Sequence, residues 1–193
     1  MRKACLALLM TLAACSSPDT VAAPAKKRDA AAAPLTAASA PTSSPAKTAP
    51  ALTLAPDGLV VDGRLVRFGI PRASAELVIG NVLGKQRNRG SSSECGAGTV
   101  DYTGYRDELQ LAFQDGKFVG WTINGGESAL KTTKGIGIGS PRQSVDAAYP
   151  DAIVDDSSLG LLFSTGDLVG IFDQDGIEGI VTDIWAGTVC LVD

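Results

Sequence analysis

Two stretches of this chain repeat each other, and the repetition limits the fold to arrangements that use one small unit twice. Gly69-Ile70-Pro71-Arg72-Ala73-Ser74-Ala75-Glu76 aligns with Gly139-Ser140-Pro141-Arg142-Gln143-Ser144-Val145-Asp146, sharing glycine, proline, arginine and serine and ending on an acid. Leu111 to Trp121 then aligns without a gap with Leu161 to Ile171, as Leu-x-Phe-x-x-Gly-x-apolar-Val-Gly-apolar. Both matches fall in the same order, which is the mark of a duplicated unit. The offset drops from 70 to 50 between them, so the first copy is expected to carry about twenty extra residues, mostly Gln86 to Gly104.

Each motif has a local physical reading. Ser140-Pro141-Arg142-Gln143 reads as a helix start, with serine as N-cap, proline at the first helical position and glutamine where a capping box needs it. Val145, Ala148 and Tyr149 then share one side, and Pro150 ends the helix. In the first copy Pro71 opens a helix carrying Leu77, Val78 and Val82 and stopping near Gly84. Leu109, Leu111 and Phe113, then Phe118 and Val119 beyond Asp115-Gly116, read as a β-hairpin whose Asp-Gly pair takes up positive φ. Thr165-Gly166 is expected to do the same in the second copy. Further hairpins are expected at Asp62-Gly63 and at Asp175-Gly176, the latter leading into Ile177 to Trp185. The fold class that follows is α+β: two diverged repeats, about residues 65–125 and 135–185, with helices on one face of an antiparallel sheet.

This organisation resembles that of the tandem-repeat proteins related to β-lactamase-inhibitor protein. It is also similar to the small outer-membrane lipoproteins of the SmpA/OmlA type, which share a helix-then-strands unit and a Gly-turn-helix entry such as Ile138-Gly139-Ser140-Pro141. The resemblance covers about residues 65 to 185. It implies protein–protein contact and carries over no residue role, because only one short helix per copy is readable where a longer helical hairpin would stand.

The N-terminus has a different character. Arg2 and Lys3 precede an apolar run from Ala4 to Ala14, the layout of a secretory signal peptide and too short to span a bilayer core. Its end, Leu12-Ala13-Ala14-Cys15, resembles the bacterial lipobox. That resemblance implies removal of residues 1–14 and a lipid thioether on Cys15, with acylation of the new amine. An ordinary signal peptide cut after Ala14 is the competing reading. One acyl chain holds a protein marginally and two hold it firmly, so a lipidated Cys15 is a lasting membrane anchor. Ser16 rather than an aspartate follows, which in Gram-negative lipoproteins implies the outer membrane and a place on its periplasmic face.

Residues 15–56 read as a disordered tether. From Ser16 to Pro56 there are 14 alanines, 7 prolines, 5 serines and 5 threonines, with 7 of the chain's 10 prolines and none of its 22 glycines. The prolines interrupt helix every few residues, and few large apolar side chains are present to offset ordering entropy. The span would be on the order of 35 Å as a flexible coil and about 120 Å fully extended. Lys26-Lys27-Arg28 is a solvated charge cluster, or a contact to anionic lipid or cell-wall polymer.

Residues 57–193 are then a single domain, long enough for a real core. It holds 11 basic and 19 acidic side chains, 11 − 19 = −8, which argues against phosphate neutralisation and so against nucleic acid. Residues 141–193 alone contribute one arginine against ten acids. Histidine is absent, removing the commonest general base and metal ligand. With Cys5 in the signal and Cys15 lipidated, Cys95 and Cys190 form an even pair for an oxidising compartment, and a disulfide is expected. Free thiols or an intermolecular bridge are the alternatives.

Candidate sites are few. Gly135-Ile136-Gly137-Ile138-Gly139-Ser140 lacks the lysine of a phosphate loop and reads as a glycine-rich strand entering a helix. Asp173 and Asp175 open like a calcium loop, but no acid follows at EF-hand spacing, so a hairpin turn is expected and they remain weak metal candidates. Asp151, Asp155, Asp156 and Asp167 crowd the same copy. Lys85, Arg87 and Arg89 lie in a polar stretch ending in Ser91, Ser92 and Ser93, read as a mobile surface loop. Trp121 and Trp185 close strand patterns and read as packing residues rather than contact residues. No catalytic residue and no cofactor site is identified, since the serines have no histidine to activate them. The expectation is a non-enzymatic cell-envelope lipoprotein that presents an interaction domain to an envelope protein partner. The alternative is a small-ligand or divalent-cation module built on the Asp-rich copy.

Overall fold

Alternation of apolar residues dominates the chain beyond residue 50, and strands dominate the structure. The computed structural model describes residues 51–190; residues 1–14, Cys15 and the tether up to Pro50 lie outside the described residues, as do 191–193. Within them lie two helices, a three-stranded antiparallel sheet and an eight-stranded antiparallel sheet, a mixed α and β architecture. No helix among the described residues is long and apolar enough to cross a membrane.

The small sheet comprises β1 (Leu52–Ala55), β2 (Gly58–Val61) and β3 (Arg64–Arg67) in that order. Asp62-Gly63 turns β2 into β3 with both residues at positive φ, as its chemistry predicts. β1 corrects the expected tether boundary, because Leu52 to Pro56 belong to the domain. Leu54 is fully buried, its N–H donates to the Lys131 carbonyl (2.9 Å), and the Trp121 indole N–H donates to the Ala55 carbonyl (2.9 Å). Leu52 and Leu54, set among alanines and a proline, are the apolar alternation that makes this strand.

Helix α1 (Arg72–Leu83) follows Pro71 and ends at Gly84, burying Ala75, Ile79 and Leu83 at a spacing of four. Then come β4 (Asn88–Ser92), β5 (Val100–Gly104), β6 (Leu109–Gln114) and β7 (Lys117–Asn124). Helix α2 (Arg142–Ala148) precedes β8 (Ile153–Ser157), β9 (Gly160–Thr165), β10 (Leu168–Phe172) and β11 (Val181–Gly187). The sheet order is β4-β5-β6-β7-β11-β10-β9-β8, two four-strand meanders joined at their last strands.

Several expectations change here. Residues 86–104 are no insertion or mobile loop, since they supply β4 and β5, the outer strands of the first meander. Gly135 to Gly139 form no strand: Gly135 N–H returns to the Thr132 carbonyl (2.8 Å) and Ser140 N–H to that of Gly137 (3.0 Å), making two turns. The Ser140 hydroxyl accepts from Gly137 N–H (3.0 Å) and does not cap α2, whose N-cap position is Pro141. The β9–β10 loop is Gly166-Asp167, one residue later than expected, and Asp175-Gly176 sits in a longer loop between β10 and β11.

The repeated sequence aligned one hairpin out of step. The ungapped match pairs β6–β7 with β9–β10, but the strands that occupy corresponding places in the sheet are β6–β7 and β10–β11. Backbone bonds fix that correspondence. Gly69 N–H donates to the Phe118 carbonyl (2.7 Å) and Gly139 N–H to that of Val181 (2.8 Å), while Arg72 N–H reaches Gly116 and Arg142 N–H reaches Gly179 (both 2.8 Å). Each hairpin also carries a bulge at the same place, beside Ala112/Phe113 in one and Ile171/Phe172 in the other.

Register assigns the side chains to two faces. Leu109, Leu111, Phe113, Phe118, Trp121, Ile123, Phe163, Ile184 and Ala186 point to an inner face and are buried in one core with Leu54, Leu59, Ile79 and Val145. Tyr102, Gln110, Ala112, Thr122, Trp185, Val169, Ile171 and Leu162 point to the outer face.

Candidate functional site

On the inner face, α1 meets the sheet through charge. Arg72 donates from Nε to Glu76 (2.9 Å), and from its two terminal nitrogens to Asp101 (3.0 Å) and Thr103 (3.0 Å), with its guanidinium 4.6 Å from the centre of the Phe113 ring. Glu76 also accepts from the buried Thr103 hydroxyl (2.8 Å) and from Arg89 (2.6 Å). Burial pushes the Glu76 carboxyl up, but the Arg72 and Thr103 hydrogen bonds and the charges of Arg72 and Arg89 outweigh it and hold the pKa below its ordinary value. Burial and the Glu76 charge raise that of Tyr105. A simpler counterpart stands on α2, where Arg142 lies 5.7 Å from the Phe172 ring centre and 3.9 Å from Asp146. The shared Pro-Arg motif is thereby explained: each arginine stacks on a third-strand phenylalanine and reaches the acid four residues on. These groups are saturated with protein partners, which makes the cluster a structural joint.

The outer face differs between its two halves. Across β8–β10, Ile153 is 61% exposed and Leu162, Val169 and Ile171 are half-buried, with Asp155 and Asp183 alongside. Across β4–β7 the face is hollowed by small residues. A side-chain carbon on Gly90 would collide with the Tyr102 ring, one on Gly104 with the Asn88 amide, and one on Gly120 with the Thr188 carbonyl. The result is a recess of about 250 Å³ lined by Asn88, Ser92, Val100, Tyr102, Gln110, Ala112, Asn124, Val189 and Cys190.

A roof crosses this half. Thr188 N–H donates to the Val119 carbonyl (2.9 Å), which lays residues 188–190 over β7. From the other side the β4–β5 loop folds back, and Gln114 Nε2 holds the Ala97 carbonyl (2.8 Å). Cys95 and Cys190 stand at disulfide distance with Cα atoms 5.3 Å apart, joining loop to tail. Trp185 lies beneath this roof at 8% exposure, and Trp121 is fully buried, so both are packing residues.

The remaining sequence-derived candidates do not converge. Asp173 Oδ1 accepts from Ile180 N–H (2.8 Å) and closes the β10–β11 loop, and no three metal-ligating side chains gather among the described residues. Asp151, Asp155, Asp156, Asp167 and Asp175 are spread over separate strands and turns. Arg89 serves Glu76, Arg87 pairs with Glu108 (3.3 Å), and Ser91 and Ser92 sit on β4. A groove of about 740 Å³ lies between β3 and α1 on an apolar floor that includes Leu65, Ile70 and Val78, with Arg64 and Arg67 at its rim. The sequence gives no sign of the outer-face recess, because two of its glycines, Gly90 and Gly104, fall within Gln86 to Gly104, the stretch that reads as an insertion.

No family model matches the chain, and neither the curated proteins nor the solved structures yield a match.

Proposed function

We propose that this chain is a non-enzymatic envelope lipoprotein, held by Cys15 at the periplasmic face of an outer membrane, whose domain docks on another envelope protein. The observation that carries the docking is the apolar strip Ile153, Leu162, Val169 and Ile171 on the outer face, flanked by Asp155 and Asp183. Exposed apolar strips bordered by polar groups mark interaction surfaces. The anchor rests on the lipobox resemblance and the tether on the composition of residues 16–50.

The domain is, on this reading, an internal duplication with both helices on the inner side of the sheet. Equivalent Gly69 and Gly139 bonds, equivalent bulges and the Arg72–Phe113 and Arg142–Phe172 stacks support it. Covering one face with helices leaves the other free for a partner.

The test is a photo-reactive side chain placed at Ile171 of the full chain in intact cells, with cross-linked products identified by mass spectrometry. One stoichiometric envelope protein is expected, lost when Val169 and Leu162 are both changed to glutamate in a variant of unchanged melting temperature. Recovery of lipid and cell wall alone would defeat the docking reading. A Cys15→Ser chain that stays in the membrane fraction would defeat the anchor.

A further inference from the structure

The recess on β4–β7 holds chemistry that the apolar strip lacks. Its lining contains no charged side chain. With no charged side chain to pair an ion, the lining is matched to a neutral ligand. The carboxamides of Asn88 and Gln110, the Tyr102 hydroxyl and the Ser92 hydroxyl make no hydrogen bond to any described residue. Asn124 accepts from Thr122 and keeps its amide N–H groups for another partner. A carboxamide offers donors and an acceptor on one planar group, which matches a ligand bearing the same pair.

The apolar part of the lining has its own shape. Gly90 leaves room for the Tyr102 ring to lie along β4, so an aromatic surface forms one wall. Val100 and Ala112, beside Tyr102 on β5 and β6, and Val189 of the roof supply a small aliphatic corner. We propose that this recess binds a neutral sugar residue carrying an N-acetyl group. The pyranose C–H face packs on Tyr102, the acetamido N–H and C=O pair with the Asn88 and Gln110 carboxamides, and the acetyl methyl enters the Val100–Ala112–Val189 corner. The volume of about 250 Å³ takes one such residue of a chain. Val189 is part of the wall, so the Cys95–Cys190 link that pins residues 188–190 also keeps the site formed. This site is separate from the docking strip on β8–β10 and does not depend on it.

The experiment is saturation-transfer NMR on the full chain in detergent, with the β-1,4-linked trimer of N-acetylglucosamine as probe and cellotriose, which lacks the acetamido groups, as comparison. Transfer to the acetyl methyl and to ring C–H protons is expected for the first sugar, with cellotriose bound at least tenfold more weakly because the carboxamides are left unpaired. Gln110→Ala, which removes no protein–protein hydrogen bond among the described residues, is expected to weaken the N-acetylated trimer about tenfold at an unchanged melting temperature. Tyr102→Phe should retain the ring packing and most of the binding. No transfer from the N-acetylated trimer, equal binding of cellotriose, or a Gln110→Ala chain that binds as the wild type would overturn the proposal.

Discussion

Replacing Glu76 by glutamine removes one charge and keeps the outline of the side chain, so it isolates what the carboxylate contributes to the joint between α1 and the sheet. Two of its bonds, from Arg72 and Thr103, reach a side chain only 16% exposed, and Arg72 itself is 23% exposed. A charge-assisted bond in such a setting contributes about 2 kcal/mol, and its neutral counterpart about 1 kcal/mol. The third partner, Arg89, is 48% exposed, and water screening limits that contact to about 0.5 kcal/mol. The expected loss is about 2.5 kcal/mol, which lowers the melting temperature of a domain of this size by roughly 8 °C. Urea unfolding of wild type and variant at neutral pH measures it. Because the folded-state pKa lies below the unfolded one, the carboxylate stabilises the fold above its unfolded pKa and ceases to as the pH falls through its folded value. The gap between the two proteins should therefore be full at neutral pH and close in acid. A loss under about 1 kcal/mol, or a gap that persists in acid, would refute the account of the cluster as a charge-assisted joint.

Two further perturbations probe the boundaries of the fold. Leu54→Ala should cost about 3 kcal/mol through the cavity it leaves, measured by urea unfolding, since Leu54 belongs to the core and not to the tether. Cys190→Ser removes a link across a sequence separation of 95 residues. It should cost about 4 kcal/mol on the loop-entropy account, and Trp185 emission should shift to the red as the tail leaves it.

How far the fold can be read from sequence depends on which physical signal each element carries. Pro71 and Gly84 bracket α1 as expected, and Asp62-Gly63 and Asp115-Gly116 make their turns, because proline and glycine act through local sterics alone. β1 stayed hidden because its neighbours, alanine and proline, dilute a four-residue alternation whose stability comes from Lys131 and Trp121, far along the chain. β4, reading Asn-Arg-Gly-Ser-Ser, has no strand propensity at all. It is held by pairing with β5 and by Arg89 reaching Glu76 on α1, both tertiary effects. Matching the hairpins one step out made the first copy look overlong, and the residues left over as an apparent insertion are β4 and β5. The signal that would have corrected it is Phe113-Gln114-Asp115-Gly116 against Phe172-Asp173-Gln174-Asp175-Gly176, the same phenylalanine before the same Asp-Gly turn with a longer loop after it.

With the strands paired by their place in the sheet, the two halves share a few inner anchors and differ across the outer face. Three inward anchors keep their chemistry, with Leu109 standing where Leu168 does, Phe113 where Phe172 does and Arg72 where Arg142 does, while Thr103 and Leu111 stand where Phe163 and Gly170 do. Outward positions do not keep theirs. Tyr102, Gln110, Ala112 and Gly120 in the first half correspond to Leu162, Val169, Ile171 and Asp183 in the second. The inner positions share one core, where volume and apolarity restrict replacement on both sides of the join. The outer positions answer to whatever each half meets. A hollowed, amide-bearing surface and an aliphatic one flanked by acids differ in chemistry, and that contrast is what separates the proposed sugar recess from the proposed docking strip on a common frame.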